Sequence, residues 1–197
     1  MKKFLWIPVL TALLLGCTPK VNDGLIPTQP IIGNSAFPSP WVMYDESLRT
    51  GGGYFFFPGV PPVQAVNLAD NQNPKDGKAS FNYVLSDYGS STFAGVIFSN
   101  TPDYHNFGVT PGPDMSSANF TQVTFWARAN QVATISMSAA GGSNASIALT
   151  TSWTQYTITT LGTMTNVQNF FTIAINNGQV PQASLPFQVN VDDIIYQ

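Results

Sequence analysis

From Trp41 onward, apolar and polar residues alternate in short runs rich in β-branched and aromatic side chains, separated by clusters of Gly, Pro, Asn and Asp. Alternation with a period of two, bounded by turn formers, is the pattern of strands with one buried face. It predicts strands over 41–45, 53–57, 79–85, 93–99, 122–127, 132–138, 146–150, 155–159, 169–176 and 187–196. No segment has apolar residues recurring at helical spacing. The expected fold is therefore all-β, a two-sheet antiparallel β-sandwich of the jelly-roll kind.

Alternation also assigns faces, because successive side chains point to opposite sides of a sheet. Val123, Phe125 and Ala127 face inward, which turns Thr124, Trp126 and Arg128 outward. Ala133, Ile135 and Met137 face inward, with Thr134, Ser136 and Ser138 outward. Phe171, Ile173 and Ile175 oppose Thr172 and Asn176, and Phe187, Val189 and Val191 oppose Gln188 and Asn190. Apart from Arg128, this reading gives one sheet an uncharged polar outer face. The run Tyr54-Phe55-Phe56-Phe57 is apolar on both sides, as in a strand covered on both faces.

The chain begins differently. Lys2 and Lys3 precede an apolar stretch from Phe4 to Leu15, followed by Gly16 and Cys17. The stretch is shorter than the roughly 20 residues of a membrane span and has the layout of a secretory signal. Leu14-Leu15-Gly16-Cys17 resembles the lipobox of bacterial lipoproteins. The resemblance implies cleavage after residue 16, acylation of Cys17 and, with Thr18 next, sorting to the outer membrane; an ordinary secretory signal is the alternative. Prolines at 19, 27, 30, 38 and 40 among small polar residues make 17–40 a tether. At about 3.1 Å per residue it would reach up to about 70 Å. The expected organisation is signal 1–16, tether 17–40 and one β-domain 41–197.

Charged residues make up only 9% of the chain, with a net charge of −3. Lys20, Arg49, Lys75, Lys78 and Arg128 are too few to neutralise a run of phosphates, so nucleic acid is not an expected partner. Catalysis is disfavoured by what is missing. Glycosidases normally pair two carboxylates, and Glu46 is the sole glutamate; one cysteine and one histidine, His105, provide no nucleophile and base pair. The expectation is a protein that is not an enzyme, with a hydrolase or lyase as a remote alternative.

Several segments carry a family resemblance: Tyr44-Asp45-Glu46-Ser47 with Gly51-Gly52-Gly53-Tyr54, Asp114-Met115-Ser116-Ser117 leading into Thr124-Phe125-Trp126-Ala127-Arg128, Trp153-Thr154-Gln155-Tyr156, and Val189-Asn190-Val191-Asp192-Asp193-Ile194. Together they resemble the galactose-binding-like jelly rolls, particularly carbohydrate-binding modules of bacterial glycanases. The resemblance implies a structural calcium where the first and last strands meet, held by Asp45, Glu46, Asp192 and Asp193. Calcium takes six to eight oxygens, which carboxylates and loop carbonyls supply; pairing with Arg49, or simple solvation, is the alternative.

A sugar face needs aromatic rings for stacking and fixed polar groups for hydroxyls. Trp126 and Arg128 with Ser136 and Asn176 are the candidates, joined by the loop aromatics Tyr88 and Tyr104. A loop covering Trp126 is the alternative. The functional expectation is a lipoprotein that attaches the cell surface or a partner enzyme to a polysaccharide or oligosaccharide. An interaction module that meets another envelope protein without a sugar ligand is the second.

Overall fold

A computed structural model of the chain describes residues 37, 39–48, 53–58, 62–99, 109 and 111–197. Within these, the chain is all-β, with no α-helix. The strands are β1 (Trp41–Asp45), β2 (Ser47–Leu48), β3 (Gly53–Phe57), β4 (Val63–Asp70), β5 (Ser80–Asp87), β6 (Phe93–Ser99), β7 (Val123–Ala129), β8 (Ala133–Ala139), β9 (Ala145–Leu149), β10 (Thr154–Ile158), β11 (Asn169–Asn176) and β12 (Phe187–Tyr196).

They form two antiparallel sheets. The five-stranded sheet runs β3-β6-β11-β8-β9, and the seven-stranded sheet is organised about β12. On one side β12 pairs with β7, which pairs in turn with β10. Its other side is shared: Phe187 to Val191 pair with β5, and Ile194 to Tyr196 pair with β1. The change of partner coincides with an irregularity between Asp192 and Ile195, where Asp193 adopts a left-handed φ of 50°. Most connections carry the chain from one sheet to the other, the jelly-roll manner of closing a sandwich.

Alternation produces the core as expected. Val123, Phe125, Ala127, Ile135, Met137, Phe171, Ile173, Ile175, Phe187, Val189 and Val191 are all buried. Each large apolar side chain contributes roughly 1.5–3 kcal/mol by leaving water. Rings join the sheets across the interior: Phe81 lies 4.8 Å from Phe98, and Phe125 lies 5.1 Å from Phe171 in a T-shaped contact.

The ten expected strands all occur, and β2 and β4 are additional. β4 lacks a clean alternation because its inward side begins with Gln64 and its outward side carries Ala65 and Ala69. Its register with β5 pairs Val66 with Tyr83. The inward Gln64 is satisfied there, accepting a 2.5 Å hydrogen bond from the Tyr83 hydroxyl.

Candidate functional site

The two sheets differ sharply in charge. None of the five strands β3, β6, β8, β9 and β11 contains an Asp, Glu, Lys or Arg. The seven-stranded sheet holds Asp45, Asp70, Asp87, Arg128, Asp192 and Asp193. The expected single face is thus a misassignment. Trp126, Arg128, Gln188 and Asn190 lie on the seven-stranded sheet, whereas Thr134, Ser136, Thr172 and Asn176 lie on the five-stranded one. Alternation had given the right side of each strand and the wrong sheet mates.

On the five-stranded sheet, cross-strand register makes one row of Phe57, Gly95, Ala174, Ser136 and Ser146. Its middle is low because the side chains are small. Gly95 cannot be otherwise: a Cβ there would sit 2.3 Å from the Ile173 carbonyl oxygen and 2.3 Å from Cζ of Phe57, whose ring leans over it. Phe93, 45% exposed, stands beside Phe57 with ring centroids 6.2 Å apart. Phe55 and Phe57 both point outward; Phe55 is buried, as expected of a strand covered on both faces, while the Phe57 ring is only half-buried.

Next to Phe93 the surface dips into a hollow of about 140 Å³, lined by Phe93, Ser136, Asn144, Ala174, Asn176 and Gln179 with part of Ile175. Its polar groups are held by the turn after β11. Asn176 Oδ1 accepts from the backbone N–H of Gly178 at 2.9 Å and of Gln179 at 3.0 Å. Gln179 Oε1 accepts from the Asn176 N–H at 3.0 Å, and Gln179 Nε2 donates to Ser136 Oγ at 3.1 Å. The structure thus brings together Ser136 and Asn176 of the expected set. It adds Phe57, Phe93, Asn144 and Gln179, which the sequence reading missed; the absence of charge from five strands was the available signal.

The other sheet presents a different surface. The segment between β4 and β5 folds over its outer side, and Lys75 Nζ lies 4.7 Å from the centroid of Trp126. Trp126 is consequently half-buried under a loop, the alternative rather than the expected open position. Beneath that loop, Asn190 Nδ2 donates to Asp70 Oδ2 at 2.8 Å and to Ser80 Oγ at 3.3 Å. Arg128 is half-buried, and its Nε is buried with no hydrogen-bond partner among the described residues.

Of the four carboxylates expected to hold calcium, Glu46, Asp192 and Asp193 have partners among the described residues. Glu46 receives the Lys78 N–H on both oxygens at 2.7 Å and fills the space above Gly77, where a Cβ would lie 1.5 Å from Oε1. Asp193 accepts from Lys75 Nζ at 2.9 Å. Asp192, 2% exposed, accepts from the Asp193 N–H at 2.9 Å and the Lys75 N–H at 3.4 Å. Burial, with the negative charge of Asp193 close by, pushes its carboxyl up to about 6. Among the described residues, no group of three or more His, Cys, Asp or Glu side chains is placed to hold a metal ion. In this arrangement the compensating cation at the corner is a lysine.

Tyr88, expected at a loop rim, is instead 2% exposed and donates to the Val180 carbonyl at 2.8 Å. Burial pushes its hydroxyl up to about 12. Tyr104 and Cys17 fall outside the described residues, as does His105.

No family model and no curated protein sequence matches the chain. Among solved structures, the family 11 carbohydrate-binding module of a cellulosomal cellulase of Clostridium thermocellum is similar at 14% identity, over 82% of this chain and 95% of that one, with a TM-score of 0.49. The same family 11 module in complex with a β-1,3-1,4-mixed-linked tetrasaccharide is similar at 14% identity, over 73% and 86%, with a TM-score of 0.42. The N-terminal cellulose-binding domain of Cellulomonas fimi β-1,4-glucanase C is similar at 12% identity, over 83% and 96%, with a TM-score of 0.43.

Proposed function

We propose that this chain is a non-catalytic carbohydrate-binding lipoprotein, anchored to the envelope through Cys17, whose five-stranded sheet holds a neutral polysaccharide or oligosaccharide for the cell or for a partner enzyme. The observation that carries this reading is the outer side of that sheet, where exposed Phe93 and half-buried Phe57 stand beside fixed amides and hydroxyls on strands without charge. Sugars offer apolar C–H faces to rings and hydroxyls to amides, and a neutral sugar forfeits nothing by meeting no ion. The same strands lack any carboxylate pair with which to cleave a glycosidic bond.

Affinity electrophoresis and calorimetry of the full chain against a panel of neutral polysaccharides test this. Retention is expected, and Phe93→Ala should weaken it about tenfold, the scale of one ring contact. Phe93 is nearly half exposed, so the variant should keep its melting temperature. If no polysaccharide is retained and an envelope protein co-purifies instead, the sheet is a protein-interaction surface and the carbohydrate reading falls. For the anchor, Cys17→Ser should move the chain from the membrane fraction to the soluble one and abolish labelling by a fatty-acid analogue.

A further inference from the structure

We propose that the hollow at Ser136 is a subsite for an acetyl group carried on a sugar, a specificity that rests on the carbohydrate-binding reading above. The inference comes from counting donors and acceptors. Backbone N–H groups can only donate, so their bonds to Asn176 Oδ1 and Gln179 Oε1 fix which way both amides point. Gln179 Nε2 must then be the donor to Ser136 Oγ.

The amide oxygens of both residues are thereby engaged by backbone. Asn176 Oδ1, with two bonds, is filled, and what remains for a ligand is mostly donors: the Asn176 NH₂, the second Gln179 N–H and the Ser136 hydroxyl hydrogen, against one further lone pair each on Gln179 Oε1 and Ser136 Oγ. Asn144, exposed and with no side-chain hydrogen bond among the described residues, adds a carbonyl and an NH₂. The hollow is therefore rich in donors, while its floor and one wall, Ala174 and Phe93, are apolar.

An acetyl group matches that pairing. Its carbonyl oxygen only accepts, and its methyl seeks an apolar floor, whereas a sugar hydroxyl donates as readily as it accepts and brings no methyl. On the measure by which one water needs about 10–15 Å³, a hollow of about 140 Å³ has room for this three-atom group. The acetyl can come from two sources, an N-acetylated amino sugar or an O-acetyl ester on a neutral glycan.

Calorimetry with the full chain distinguishes them. Chitohexaose is compared with cellohexaose, which has the same linkage and a hydroxyl in place of each acetamido group. Acetylated xylo-oligosaccharides are compared with the same sample after mild alkaline deacetylation. At least about tenfold tighter binding is expected for the acetylated member of one pair, in keeping with a methyl plus hydrogen bonds in the hollow, and the pair that responds names the source. Ala174→Val, which raises the floor, and Ser136→Ala, which removes a donor, should each bring that ratio close to one; melting curves confirm that both variants are folded. Equal affinity within both pairs, or a ratio unmoved by either folded variant, overturns the acetyl subsite while leaving carbohydrate binding intact. Failure to bind any of the four sugars or the wider panel overturns both.

Discussion

Asn190→Leu should cost this fold far more than its place on an outer sheet face suggests. Asn190 is 5% exposed at the centre of the seven-stranded sheet, and it donates both to Asp70 Oδ2 and to Ser80 Oγ. Asp70, at 6% exposure, has one further bond among the described residues, from the Gln72 N–H at 3.1 Å. Leucine keeps the heavy-atom count and branching and removes the donor, so the substitution leaves a buried carboxylate short of its side-chain partner. A hydrogen bond to a charged group contributes about 1.5–3 kcal/mol and the weaker bond to Ser80 somewhat less, giving a loss of about 3 kcal/mol. For a domain of this size that is a fall of roughly 6–12 °C in melting temperature, measured by circular dichroism or calorimetry at neutral pH. Adding Asp70→Asn removes the stranded charge and should recover about 1 kcal/mol or more, which a double-mutant cycle reads as coupling. A single variant within about 1 kcal/mol of the parent, or strictly additive losses, would refute the idea that this contact fastens the β4–β5 segment onto the sheet.

Asp192→Asn tests the buried carboxyl in the opposite direction. Because its folded value is raised from 3.8 to about 6, the folded chain holds the proton longer than the unfolded one, and stability falls as pH rises across that window. The asparagine variant should flatten this dependence and be more stable at pH 7 by about 2 kcal/mol; an unchanged slope between pH 4 and about 6 contradicts it. Gly77→Ala meets both a left-handed φ of 63° and the Glu46 carboxylate, and should lower stability by about 2 kcal/mol or more, with a neutral effect counting against that close approach. Since Lys75 already compensates Asp193, neither millimolar calcium nor a chelator should move the melting temperature by more than about 1 °C. A chelator-sensitive melt lost in Asp193→Asn would instead install a cation at that corner.

Where strands begin, and which side of each faces the core, could be read from the chain because apolar positions alternate along each strand. Which strands share a sheet could not. Trp126 and Ser136 occupy equivalent outward positions in consecutive strands, yet the chain changes sheet between β7 and β8 and puts them on opposite surfaces. β4 escaped notice because its pattern is softened by two outward alanines and by an inward glutamine whose partner, Tyr83, is distant in sequence. Tyr88 lies in the loop after β5 as expected, but its burial was out of reach for a similar reason, since its hydroxyl is satisfied by Val180, far along the chain. The hollow depends on three amides and a serine from separate elements, so only its strand residues, Ser136 and Asn176, were within reach of alternation.

The absence of charged side chains from the five strands of one sheet has a kinetic side. A ligand arriving at the neutral half feels little long-range pull or push, so encounter should proceed at the unassisted rate of about 10⁵–10⁶ M⁻¹s⁻¹ and vary little with ionic strength. Retention on a polymer would then be much the same in dilute medium and in brine.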